Sequence, residues 1–315
     1  MKKLLKILGI IVAALVLILA AVAAWINFSA PPTYEVQNLE VKIPTDSVAL
    51  ANGKKIVESI CSYCHKSDDG TLNGKLFSPE SEGLGELWAA NITKHPEALG
   101  RYSDGEIAYL LRTGVKRDGK LAGPFMMFPN LSDDDMGAII AYLRSDAPLV
   151  QASDVKRQSH YSFLAKALFK LGAFKPLPYE HKPFPSIDPA NKVAYGYYLT
   201  NVRFKCSECH SASFETIDPL VPEKSAGFCG GGNPIADHHG AVVKSANITP
   251  HPEEGIGKWS EEQFQKTVLT GITPFGKELS PLMPRFTVLD STELSAIYAY
   301  LRTIPALETP KPEEK

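Results

Sequence analysis

Cys61-Ser62-Tyr63-Cys64-His65 returns later in the chain as Cys206-Ser207-Glu208-Cys209-His210, and much of the surrounding sequence returns with it. Asn91-Ile92-Thr93-Lys94-His95-Pro96 recurs as Asn247-Ile248-Thr249-Pro250-His251-Pro252, and Leu111-Arg112-Thr113-Gly114 as Val268-Leu269-Thr270-Gly271. Ala141-Tyr142-Leu143-Arg144-Ser145 recurs as Ala299-Tyr300-Leu301-Arg302-Thr303. Repetition on this scale constrains architecture before any single element does, because each copy is one structural unit. The body is therefore expected to be two units in tandem. The second carries a longer loop just after its cysteine motif.

Cys-x-x-Cys-His is the attachment pattern of c-type haem. Two thiols at this spacing each form a thioether to one haem vinyl, and the following histidine then lies against the iron. His65 and His210 are the expected proximal ligands, through an imidazole nitrogen. A thioredoxin-type pair needs no histidine after it. A structural zinc site would draw both cysteine pairs into one tetrahedron, against their wide separation and separate flanking repeats. Two haems c, one per unit, are the expectation. Cys229 is left over and is expected to be a buried free thiol, with intermolecular pairing as the alternative.

The N-terminus sets the compartment. Lys2, Lys3 and Lys6 precede an apolar run from Ile7 to Phe28, broken only by Asn27. About 20 apolar residues span a bilayer as a helix, and the lysines hold its start in the cytoplasm. Ala21-Val22-Ala23 offers the competing reading of a cleaved signal peptide. Both readings export the body. The chain has 315 residues, 44% of them hydrophobic and 22% charged, as a folded protein of two domains would. A net charge of −2 gives no basic face for nucleic acid.

Each unit reads as helical. Val48–Ile60 and Lys192–Phe204 lead into the motifs. Ser103–Arg112 and Ser260–Leu269 open on a capping serine. Asp133–Arg144 and Ser291–Thr303 close the units with apolar residues at helical spacing. Gly53 and Gly196 are expected to let the closing helices cross near Tyr142 and Tyr300. No long alternating strand pattern is present.

A sixth iron ligand is sought before each closing helix. Met283 lies in Pro281-Leu282-Met283-Pro284, and the repeat aligns it with Met126, leaving Met127 as the spare. A thioether favours reduced iron and raises its potential. Met136 is assigned to the core. Asn91 and Asn247 are candidate haem contacts, at the haem edge or propionates, or else turn caps. His95 and His251 read as loop residues, and His238-His239 as a surface loop.

These motifs resemble dihaem class I cytochromes c, and in particular the cytochrome subunits that accept electrons from periplasmic dehydrogenases such as alcohol dehydrogenases. The resemblance covers about residues 47–305. It implies small all-α modules, His/Met ligation and electron transfer. Two features depart from that pattern: those subunits commonly have three modules, and no proline follows Met126.

The expected organisation is an anchor or signal peptide at 1–28, a linker at 29–46 and a first cytochrome domain at 47–145. An interdomain linker follows at 146–190, then a second domain at 191–308 and a disordered tail at 309–315. Within the linker, residues 161–171 form an amphipathic helix with a basic rim, expected to pack across both domains, with lying on a membrane surface as the alternative. The proline-rich run 174–189 is expected to wrap one of them. The fold class is all-α, two tandem class I cytochrome c domains after a transmembrane helix. The expected function is electron transfer between redox partner proteins, with no substrate chemistry, on the extracytoplasmic side of the inner membrane. The alternative is a dihaem oxidoreductase of peroxidase or thiosulfate-oxidising type, with one catalytic haem.

Overall fold

A computed structural model describes residues 1–78, 83–123, 126–236 and 241–310. His238-His239, Pro124 of the first methionine loop and the last five residues lie outside the described residues. Helix α1 (Lys2–Phe28) is followed by an extended strap, then α2 (Ser47–Ile56), a π-helical turn (Val57–Cys61) and α3 (Ser62–His65). Strands β1 (Leu76–Ser78) and β2 (Gly85–Trp88) precede α4 (Asp104–Thr113) and α5 (Asp133–Arg144). Strand β3 (His160–Tyr161) and α6 (Phe163–Lys170) occupy the connection.

The second half repeats the order. Helix α7 (Lys192–Tyr198), a π-helical turn (Leu199–Arg203) and α8 (Cys206–Cys209) lead to β4 (Pro234–Ala236), β5 (Val242–Lys244), α9 (Glu261–Thr270) and α10 (Ser291–Leu301). The chain is thus mainly helical but not purely so. Strands β1 and β2, in the loop after the first motif, pair antiparallel with each other and β2 with β3 of the connection, and a hairpin β4-β5 lies in the loop after the second motif. Strands of two to four residues are too short to show alternation, and so they left no signal in the sequence.

Local signals explain the helices. Ser103 and Ser260 form full capping boxes with Glu106 and Gln263, and Gly114 and Gly271 end the helices at φ 82° and 75°. The leading and closing helices cross where the sequence placed the glycines. A Cβ on Gly53 would stand 2.0 Å from the Ala138 carbonyl oxygen, and one on Gly196 1.9 Å from that of Ala296. Backbone therefore meets backbone at both crossings. Ile56, Val57 and Ile140 in the first half, and Leu199, Leu294 and Leu301 in the second, fill the core around them.

Both connecting segments wrap the first half. In the strap, Tyr34 N–H donates to the Gly119 carbonyl at 2.8 Å, and the backbone at Leu39 and Lys42 fits against Gly105 and Gly137. In the proline-rich run, Phe184 and Asp133 exchange hydrogen bonds of 2.8 and 2.9 Å, and Arg112 stacks 4.0 Å over the Phe184 ring. Helix α6, expected to bridge both halves, instead contacts α1 and β3. Its lysines reach the foot of α1. Thr309, expected to begin a loose tail, is held by a 2.6 Å bond from its N–H to Glu254.

Candidate functional site

The two histidines are built alike. His65 closes α3 and His210 follows α8, and both are buried. Each Nδ1 lies 2.7 Å from a backbone carbonyl, that of Ala90 for His65 and of Ala246 for His210. A carbonyl can only accept, so Nδ1 carries the hydrogen and Nε2 keeps a free lone pair. Burial lowers the pKa of both imidazoles, opposed in part by those carbonyl bonds, so both stand neutral. A neutral, fixed imidazole with an open Nε2 is what an iron ligand requires.

The Asn-Ile-Thr segments hold those carbonyls in place. Asn91 Nδ2 donates to the carbonyls of Ser153 and Val155, while its Oδ1 accepts from the N–H and hydroxyl of Thr93. Asn247 repeats the pattern with Leu307, Thr309 and Thr249. Both asparagines cap their turns through these bonds. His95 and His251 also cap turns, their Nδ1 atoms accepting from Glu97 and from Glu253 and Glu254. An alanine precedes the asparagine in both copies, so the Ala90 and Ala246 carbonyls hold equivalent places in the repeat.

The two loops after the motifs match in backbone. His65 and His210 carbonyls accept from Gly74 N–H at 2.8 Å and Gly231 N–H at 2.7 Å, both glycines at positive φ. Gly231 presses against the Ala246–Asn247 backbone, so this glycine serves the histidine-holding segment. Cys229 stands where the first copy has Leu72: each is wholly buried, and each carbonyl accepts from the isoleucine of its Asn-Ile-Thr segment. The leftover thiol is core filling, and burial pushes it far above the usual range.

Cys64, His65 and Met126 line one cleft of about 970 Å³, closed by Trp88, Leu99 and the linker residue Phe169. Met127 points elsewhere, into the core against Gly114 and Leu121. Lys116, Lys120 and Arg157 at the cleft give a basic lining suited to the two carboxylates of a haem. Thiol, imidazole, thioether and cations thus share a cavity of suitable size, and the residues fit the group. On the second side, Met283 is partly buried against the core, its carbonyl held by Arg285 Nη1 at 2.6 Å. Asn233 there is buried, and its Nδ2 has no hydrogen-bond partner among the described residues, leaving a donor for a carboxylate. Burial pushes the Cys61 and Cys206 thiols up to about 12.

The two motifs also meet each other, which the repeat alone could not indicate. Tyr63, inside the first motif, donates to the Leu282 carbonyl beside Met283 at 3.1 Å. Lys205, just before the second, donates to the Met127 carbonyl at 2.8 Å and lies 4.6 Å over the Phe128 ring. Cys209 lies near enough to Cys64 for that thiol's charge to raise its own pKa, after burial and Glu208.

Comparison with known proteins agrees with this geometry. Residues 50–146 match the Cytochrome c family model. The chain is 28% identical over 261 residues to the fructose dehydrogenase cytochrome subunit of Gluconobacter japonicus, covering 78% of this chain and 50% of that protein. It is 26% identical to the cytochrome c subunit of the quinone alcohol dehydrogenase of Gluconacetobacter polyoxogenes, covering 82% and 57%. It is 24% identical to a diheme cytochrome c-type protein of Cereibacter sphaeroides, covering 79% and 83%. The chain thus spans about half the length of the dehydrogenase subunits it matches. Residues 50–146 are a cytochrome c domain, which implies covalently bound haem c, in a chain similar to the cytochrome c subunits of quinone-linked dehydrogenases.

Proposed function

We propose that this chain is a membrane-anchored dihaem cytochrome c that relays electrons between redox partners on the extracytoplasmic side of a bacterial-type membrane. Its body is two tandem cytochrome c domains, 47–145 and 191–308, joined by the 146–190 linker. The observation that carries the reading is the facing pair of motifs, each bonded to the other half's methionine loop through Tyr63 and Lys205. Cys61, Cys64, Cys206 and Cys209 hold two haems c. His65 and Met126 would hold the first iron, and His210 and Met283 the second. Haem c supplies one reversible electron at each iron when bound.

The protein groups do the rest. The Ala90 and Ala246 carbonyls fix the imidazole tautomer and ring orientation. Arg285 fixes the Met283 loop, and the cross-bonds fix one motif against the other, so little reorganises when charge moves. A methionine for each iron leaves no coordination position open for substrate. The similarity to cytochrome subunits of dehydrogenases supports a dehydrogenase complex as electron donor. Helix α1, long and apolar enough to cross a bilayer, supports the anchor, with the domains in the periplasm.

Redox titration of the purified protein, with optical scans of the far-red iron–sulfur band, tests the proposal. Two low-spin, methionine-ligated haems per chain are expected. A high-spin component that turns over peroxide or thiosulfate would replace the relay with the dihaem oxidoreductase reading.

A further inference from the structure

Helix α6 has three differently occupied sides. Ala165 and Phe169 face the first haem cleft. Lys166 and Lys170 face the foot of α1, where Lys166 Nζ donates to Asn27 Oδ1 at 2.7 Å. Lys170 Nζ donates to the Trp25 and Ser29 carbonyls at 2.8 and 2.6 Å, and lies 5.4 Å over the Trp25 ring. It therefore places a cation at the C-terminal end of α1, where the helix dipole favours one. The remaining side carries Phe163, Leu164, Ala167, Leu168 and, just past the helix, Leu171, with no charge among them. On that side Phe163, Leu164 and Leu171 are 51, 53 and 68% exposed. A surface helix normally turns its polar face to water.

The position of this face along α1 identifies what covers it. At about 1.5 Å per residue, the 27 residues of α1 extend some 40 Å, against a hydrocarbon core of about 30 Å. The lysines at its start and Trp25-Ile26-Asn27 at its end bracket the apolar run, and tryptophan favours the membrane–water boundary. Helix α6 is fastened at that boundary, next to exposed Phe28. We propose that the Phe163–Leu164–Leu171 face of α6 lies in the headgroup region of the bilayer that α1 crosses, and so seats the first haem cleft at the membrane surface. The occupant is a lipid surface, taken up by an apolar face with lysines on its flank. The inference rests on the reading of α1 as a retained anchor.

The test uses the full-length, haem-loaded, reduced protein in phosphatidylethanolamine–phosphatidylglycerol vesicles. Single nitroxide labels are placed at Leu164→Cys, at Leu17→Cys in the anchor and at Phe275→Cys, an exposed site in the second half. Collision rates with oxygen and with a nickel chelate report depth. Expected is a several-fold lower nickel accessibility at 164 than at 275, with oxygen accessibility between those at 275 and 17. A 164 label as open to nickel as the 275 label, with the 17 label deep, overturns the proposal and leaves the anchor standing. A 17 label open to nickel overturns both. A 164 label closed to both probes, with spin–spin broadening that vanishes on dilution with unlabelled chains, puts a second copy on the face and also overturns it.

Discussion

At the scale of single residues, the methionine loop carries the sharpest expectations. Met126→Ala should remove the far-red sulfur band of one haem, since Met126 lines the cleft with His65. Met127→Ala should keep the band and cost about 2–5 kcal/mol, because Met127 is 4% exposed in the core. Optical scans and denaturation of both variants separate the two roles. The sequence alone carried the cysteines, histidines and aligned methionines, since ligands must be particular side chains. It could not show the Ala90 carbonyl's role, because a carbonyl is present at every residue.

Elements were legible where a local rule sets them. The capping serines and the closing helix Asp133–Arg144 fall where the sequence put them. The π-helical turns before both motifs were read as plain helix, because their extra residue is set by packing and not by composition. The strap pairs mainly by backbone, which leaves no side-chain signature. The glycine crossings are the most sensitive elements. Gly53→Ala or Gly196→Ala drives a methyl into a carbonyl oxygen, forcing the helices apart. Each should cost about 3 kcal/mol, at the upper end for overpacking, and lower the melting temperature by several degrees. Calorimetry of the two variants decides it. An unchanged melting temperature in either variant would show that the helices do not cross so closely.

For the whole molecule, a buried ionic cluster joins the halves. Arg203 bonds Asp135 of the first half at 2.7 and 2.9 Å and Glu293 of the second at 3.1 Å, while Lys55 reaches Glu293 at 2.8 Å. Asp135 and Glu293 hold the same place, the third residue of their closing helices, and Tyr198 adds a 2.5 Å bond to Asp135. Counting from the paired glycines, Arg203 falls where the first copy has Ile60. A repeat displays what its copies share, so a contact made by their difference was hidden in it. Arg203→Ala leaves buried Asp135 without a cation, while Glu293 keeps Lys55, and should cost about 3–5 kcal/mol. It should also split one calorimetric transition into two as the halves uncouple. A single transition at the parental temperature would contradict this.

The strap between α1 and α2 has a consequence for encounter. Its backbone is pinned at Tyr34, Leu39 and Lys42 against the first half, so it has none of the reach of a loose leash. On the anchored reading, the body cannot swing out to sample the surrounding volume, and it turns and drifts only with its anchor. A partner in the same membrane is then met by lateral diffusion, a search in two dimensions. Its rate scales with molecules per unit area of membrane, and crowding in the bilayer rather than concentration in the periplasm sets the pace.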